Sequence, residues 1–242
     1  MSSRQEQLAL NLSEQRERLA AACAAAGRSA SEVTIIAVTK TYPVADVLAL
    51  AALGVTDIGE NRDQEAAAKA AATADAGVEV RWHFVGQLQR NKCRSVVTYA
   101  DMVHSVDSVP LARALAGAAD RHRERPLDVL VQVSIDGDAA RGGAIEGAAD
   151  PEREVRAVVD EIAGSPALRL RGVMAVAPVR WEPAEAFAKL GEVAEWIRAD
   201  HPDATVVSAG MSADLEQAVN AGATHVRLGG AILGNRLPPA VA

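Results

Sequence analysis

The stretch "EVTIIAVTK", Glu32–Lys40, followed three residues later by "VADVLALAALG", Val44–Gly54, decides how the rest of the chain is read. The first is a β-branched apolar run, as expected of a strand buried on both faces. The second carries apolar residues at helical spacing and stops at a glycine. A strand followed at once by a helix is half of a parallel crossover unit, and the pair recurs along the chain. "VTDIGEN" precedes "RDQEAAAKAAATA", "VRWHFVGQ" precedes "RNKCRSVVTYA", and "DMVHSVD" precedes "SVPLARALAGAADRHRE". "LDVLVQVSI", "LRLRGVMAVAP" and "TVVSAGMS" are each followed by a helical segment, and "THVRLGGAILG" comes last. That makes eight strand candidates separated by seven helices. Leu8, Leu12, Leu19 and Cys23 share one face of an additional helix in front, which ends at Gly27.

Eight strand–helix units predict an α/β fold closed into a TIM-type (β/α)8 barrel, a single domain with an extra N-terminal helix. Residues 1–30 are read as the helix packed on the barrel and 31–242 as the barrel. The rival is a doubly wound open sheet, but no G-x-G-x-x-G follows the first strand. The 242 residues suit one barrel, and 49% hydrophobic, 24% charged and 3% aromatic residues describe a globular, alanine-rich core. A net charge of −7 without a Lys/Arg cluster argues against a nucleic-acid surface. Cys23 and Cys93 match neither a metal nor a redox spacing. The polar start "MSSRQEQLALNLSEQRERLA" and the lack of a long apolar run give a soluble, cytoplasmic chain without membrane contact, read as a monomer.

Barrel geometry directs attention to the C-terminal ends of the strands, where loops seven and eight often hold phosphate. Here those loops are "SAGMS", Ser208–Ser212, and "RLGGAILG", Arg227–Gly234, the latter within the chain's last strand-like segment. The Ser208 and Ser212 hydroxyls, close approach at Gly210, and backbone amides at Gly229 and Gly230 would suit an anion without a lysine. Two ordinary turns are the alternative. Lys40 ends the first strand with the parity of Ile36 and Val38, so it is expected to point inward at the rim. Desolvation there would make its amine a nucleophile toward aldehydes. Lysine plus phosphate in a barrel fits either a Schiff-base aldolase on sugar phosphates or a lysine that holds pyridoxal 5′-phosphate.

"AVTKTYP", "IGENRDQE", "WHFVGQLQRNK", "RGVMAVAP" and "SAGMSADLEQAVNAGATHVRLGGAILG" resemble, in order and spacing, the pyridoxal-phosphate homeostasis protein family. That family is a single-domain relative of the alanine racemase N-terminal barrel, and the resemblance runs from about Ser31 to Arg236. It implies Lys40 as the Schiff-base lysine, Asn61 beside the cofactor ring, and Arg227 facing the pyridine nitrogen. It also implies Ser208, Ser212, Gly229 and Gly230 as the phosphate cup. His83, Asn91 and Lys92 fall in its "HFVGxLQxNK" signature and are read as a packed histidine and a basic helix face. Ser134 and Arg141 depart from a frequent Asn and Lys, "SAGMS" from "SMGMS", and "AILG" lacks a common aromatic. These departures touch the rim and packing.

An arginine at the pyridine nitrogen keeps the ring a weak electron sink, which disfavours transamination and decarboxylation. Racemisation needs acid/base groups on both faces of the α-carbon. The alanine racemases take one from a second domain, and the tyrosines of this chain are Tyr42 and Tyr99, the latter on a helix facing away. The expected function is therefore pyridoxal 5′-phosphate holding and transfer to apo pyridoxal enzymes, without efficient catalysis. A weak amino-acid racemase using Tyr42 or water is the alternative.

Overall fold

The computed structural model describes residues 3–138 and 142–234, and Arg141 and Arg236 lie outside them. Eight parallel strands close into a barrel in chain order: β1 (Thr34–Val38), β2 (Asp57–Glu60), β3 (Arg81–Phe84), β4 (Met102–Val106), β5 (Leu127–Gln132), β6 (Leu168–Met174), β7 (Val206–Ser208) and β8 (His225–Leu228). The connecting helices are α2 (Val44–Ala52), α3 (Asp63–Asp75), α4 (Cys93–Tyr99), α5 (Val109–His122), α6 (Val155–Ala163), α7 (Pro183–Asp200) and α8 (Leu215–Asn220). Helix α1 (Ser3–Ala25) precedes them and the single turn α9 (Gly230–Leu233) follows β8. This is a TIM-type barrel forming a single domain.

Strand side chains alternate between the helical shell and the barrel interior. Ala37, Ile58, Trp82, Val226 and Leu228 face outward, in one apolar cluster with Leu8, Leu12 and Leu19 of α1 and Leu215 and Val219 of α8. Inside, Met102, Leu130, Met174 and Val206 form a small apolar layer. The interior also holds a set of polar side chains: Asp57, His83, His104, Ser208 and Arg227 are all at least nine-tenths buried. No described helix is long and apolar enough to cross a membrane.

Two boundaries differ from the sequence reading. β1 stops at Val38, two residues before Lys40, because Lys40 and Thr41 form a turn in which Thr41 takes a positive φ of 71°. β8 stops at Leu228, because Gly229 at φ −106°, ψ −93° leaves the strand path and Gly230 opens a helical turn.

Candidate functional site

Strand β8 supplies the central group. Its alternation sends Val226 and Leu228 to the shell and turns Arg227 into the barrel, where its side chain is nearly covered. One terminal nitrogen of the guanidinium, Nη1, donates to both the carbonyl and the hydroxyl of Ser208, each at 2.8 Å. The other, Nη2, donates to the carbonyl of Ala175 at 2.8 Å. Burial pulls the guanidinium down to about 10, opposed by the Asp214 charge. A guanidinium offers five N–H donors. The bonds to Ser208 and Ala175 use three, and Nε and one Nη2 hydrogen have no partner among the described residues.

Strand register gathers the other residues. β1 pairs Ile36 with Arg227 on one side and Val38 with Gly59 on the other. Lys40 and Asn61 follow two residues further on, just past the ends of β1 and β2. Lys40 is exposed, with no partner for its ammonium among the described residues, so the desolvation expected of it is absent. The early end of β1 is the reason. The Asn61 side-chain oxygen is buried without a hydrogen-bond partner. Its backbone is clamped by Gly86, where a Cβ would stand 2.4 Å from the Asn61 carbonyl oxygen.

Ser208 is fully buried, with its hydroxyl bonded to Arg227 and, at 3.0 Å, to His104. It lies under Arg227 in the barrel and not in the loop. Ser212 is half-buried in the turn before α8, with its carbonyl accepting from Arg18 at 2.8 Å. Gly229 is half-buried and Gly230 exposed at the start of α9. Gly210 serves the turn itself: its φ is 90°, and a Cβ would meet the Ala218 methyl at 2.6 Å.

Of the signature residues, His83 is buried between Asp57 and His104, each at 2.9 Å. Asn91 is exposed, and Lys92 Nζ sits 3.9 Å from Asp63. The Tyr42 hydroxyl donates to the Gly234 carbonyl at 2.5 Å. Tyr99 packs inward with its hydroxyl 3.5 Å from Asp63. The Ser134 hydroxyl lies 3.3 Å from Asp136 Oδ1 and 3.2 Å from the Asp138 carbonyl, which share its one hydrogen.

A second cluster, outside the barrel wall, escaped the sequence reading. Lys69 of α3 is buried and its ammonium donates to Glu60 at 2.6 Å, Glu65 at 2.7 Å and the Thr39 carbonyl at 2.7 Å. Glu65 also accepts the Thr41 amide, and Thr39 donates to Glu60 at 2.6 Å. The turn carrying Lys40 is therefore held at residues 39 and 41. A lone lysine inside "EAAAKAAA" was the available signal.

The chain matches the family model described as alanine racemase, N-terminal domain, over residues 11–236. A pyridoxal phosphate homeostasis protein of Mycobacterium leprae is 43% identical, with 96% of this chain and 93% of that protein covered. The structure of PipY from Synechococcus elongatus, described with PLP bound, aligns with a TM-score of 0.78 and 34% identity over 94% of this chain and 100% of PipY. Alanine racemase from Corynebacterium glutamicum, at 16% identity and a TM-score of 0.69, covers 98% of this chain and 63% of its own; it shares the fold. The match over residues 11–236 places the chain in the alanine racemase N-terminal domain family. Within it, the chain belongs to the pyridoxal phosphate homeostasis protein family.

Proposed function

We propose that the protein binds pyridoxal 5′-phosphate and serves its intracellular homeostasis, holding the cofactor and passing it to apo pyridoxal enzymes in the cytoplasm. The observation that carries this reading is Arg227. It is fixed from below by Ser208 and Ala175, and two of its N–H groups have no partner within the described chain. The buried, unpartnered oxygen of Asn61 gives the same side of the barrel an unused acceptor. An accessible amine, a pure donor and an orphan acceptor at the strand ends fit an aldehyde-bearing, heteroaromatic phosphate ester.

When bound, the cofactor supplies an aldehyde for the Lys40 amine and a ring that can withdraw electrons. Arg227 donates toward the ring nitrogen and cannot promote its protonation, so the site favours retention over carbanion chemistry. Gly229, Gly230 and Ser212 hold the phosphate, while Ser208 enters through its support of Arg227. The two tyrosines give little to catalysis: Tyr42 is tied to the Gly234 carbonyl and Tyr99 lies against Asp63.

Protein loaded with pyridoxal 5′-phosphate is expected to be yellow, and borohydride should fix the label on the peptide containing Lys40. Recovery on Lys92 or Lys189 would overturn the reading. Incubation with individual L-amino acids should give neither D-enantiomer nor keto acid at ordinary enzyme rates, on the order of one per second. Formation at such rates, lost in Lys40→Ala, would make the protein a racemase or other pyridoxal enzyme.

A further inference from the structure

Arg227 stands at one end of a hydrogen-bonded chain that runs down the barrel interior. Arg227 Nη1 reaches Ser208 Oγ at 2.8 Å, and Ser208 Oγ lies 3.0 Å from His104 Nδ1. His104 Nε2 is 2.9 Å from His83 Nδ1, and His83 Nε2 is 2.9 Å from Asp57 Oδ1. The five residues come from β8, β7, β4, β3 and β2.

The hydrogen positions follow from the arginine end. A guanidinium only donates, so the Ser208 oxygen accepts and its own hydrogen goes to His104 Nδ1. His104 then carries its hydrogen on Nε2 and gives it to His83 Nδ1. His83 in turn carries its hydrogen on Nε2 and gives it to Asp57. Both histidines are neutral Nε2–H tautomers, and every donor points toward the carboxylate. The reverse direction would leave the Ser208 hydrogen without an acceptor. Burial, with the Arg227 charge beside it, holds His104 well below the usual histidine range. Asp57 is anchored further by the Thr56 hydroxyl at 2.6 Å, with Arg81 at 3.8 Å. His225 stands beside the chain, bonded to Thr224, with its ring 6.2 Å from that of His83.

We infer that Asp57, His83, His104 and Ser208 are positioning residues for the cofactor, a one-way hydrogen-bond chain that fixes Arg227 from the opposite end of the barrel. This rests on the reading of Arg227 as the partner of the ring nitrogen. Chains aligned in one sense polarise each member, so the Ser208 oxygen becomes a better acceptor for the guanidinium. No pairing of arginine with an adjacent carboxylate is then needed.

The first test uses protein without cofactor. Nitrogen-15 imidazole spectra should show His83 and His104 as neutral Nε2–H tautomers; hydrogen on Nδ1 of either would overturn the chain. The second titrates pyridoxal 5′-phosphate into Ser208→Ala, His104→Leu and His104→Gln. The first two should shift the bound cofactor's absorbance maximum and weaken affinity about tenfold, the effect of losing one hydrogen bond's support. His104→Gln, which keeps a donor and an acceptor, should restore both. If His104→Leu does not fold, Ser208→Ala decides. Unchanged spectrum and affinity, with both altered in Arg227→Met, would overturn the chain and leave the site standing. No response in Arg227→Met would overturn the reading of the site, and the chain's role with it.

Discussion

The barrel wall separates two buried polar clusters that meet the cost of burial in different ways. Inside, Asp57, His83, His104 and Ser208 form a linear chain below Arg227, with neutral groups in the middle. Outside, Lys69 gathers two carboxylates and a carbonyl around one ammonium. A chain of directional bonds fixes the orientation of the group at its end. An ion cluster has less directional preference, but it fixes where its members' backbones lie. The difference matches what each region holds: the inner chain aims a side chain, and the outer cluster pins the turn at Thr39 and Thr41 around an exposed lysine.

The largest effect is expected on breaking the outer cluster. Lys69→Met leaves Glu60, 1% exposed, and Glu65 facing each other without a counter-charge. Removing one partner of a buried ion pair costs about 3–5 kcal/mol. Urea unfolding should show a loss near the lower figure, since Glu60 can take a proton: burial already raises its carboxyl against the pull of Lys69 and Thr39. Adding Glu60→Gln should recover part of the loss. A loss confined to a few tenths of a kcal/mol would show that the cluster does not hold the turn.

Gly229→Val tests the rim, where affinity should change more than stability. A Cβ there would meet the Val38 carbonyl at 3.5 Å and the Val38 Cβ at 3.7 Å, ordinary contacts, and φ is negative. The fold should tolerate the change, while the larger side chain takes space proposed for the phosphate. Loss of a charge-assisted contact corresponds to about ten- to a hundredfold in affinity. Titration with pyridoxal 5′-phosphate, alongside a melting curve, separates the two effects. Full affinity would move the phosphate away from this loop.

The strand–helix alternation made the barrel legible, because eight short apolar runs punctuated by helices leave few ways to bury both faces of a sheet. The turn at Lys40 is not legible: parity applies only while the strand continues, and nothing in "AVTKTYP" shows that it ends at Val38 or that Lys69 grips Thr39 from another helix. Ser208 reads as a loop hydroxyl because it opens "SAGMS", whereas the closed barrel turns it inward onto His104, 104 residues away in sequence. His104 itself, within "MVHSV", looked like part of an ordinary strand. A polar residue at an inward position gains meaning only once the other strands that meet it are known.

The smallest effect separates the clusters by pH. Burial opposes ionisation of Asp57, but hydrogen bonds from His83 and Thr56 outweigh it and hold the carboxyl below its ordinary value. A lowered folded value means stability that is present above the unfolded pKa, about 4, and lost as pH falls through the folded one. Glu60 has the opposite sign. Its raised carboxyl contributes stability that is complete below its unfolded pKa, also about 4, and lost as pH rises through the folded value. Asp57→Asn should therefore flatten the acid side of the stability profile, while Glu60→Gln should reduce the loss seen as pH rises from 4. Each change should be on the order of 1 kcal/mol, the size of one exchanged hydrogen bond. Urea midpoints from pH 3 to 7 would check both. Asp57→Asn and Glu60→Gln tilting the profile in the same direction would mean that the inner chain and the outer cluster do not differ in their charge as the structure describes.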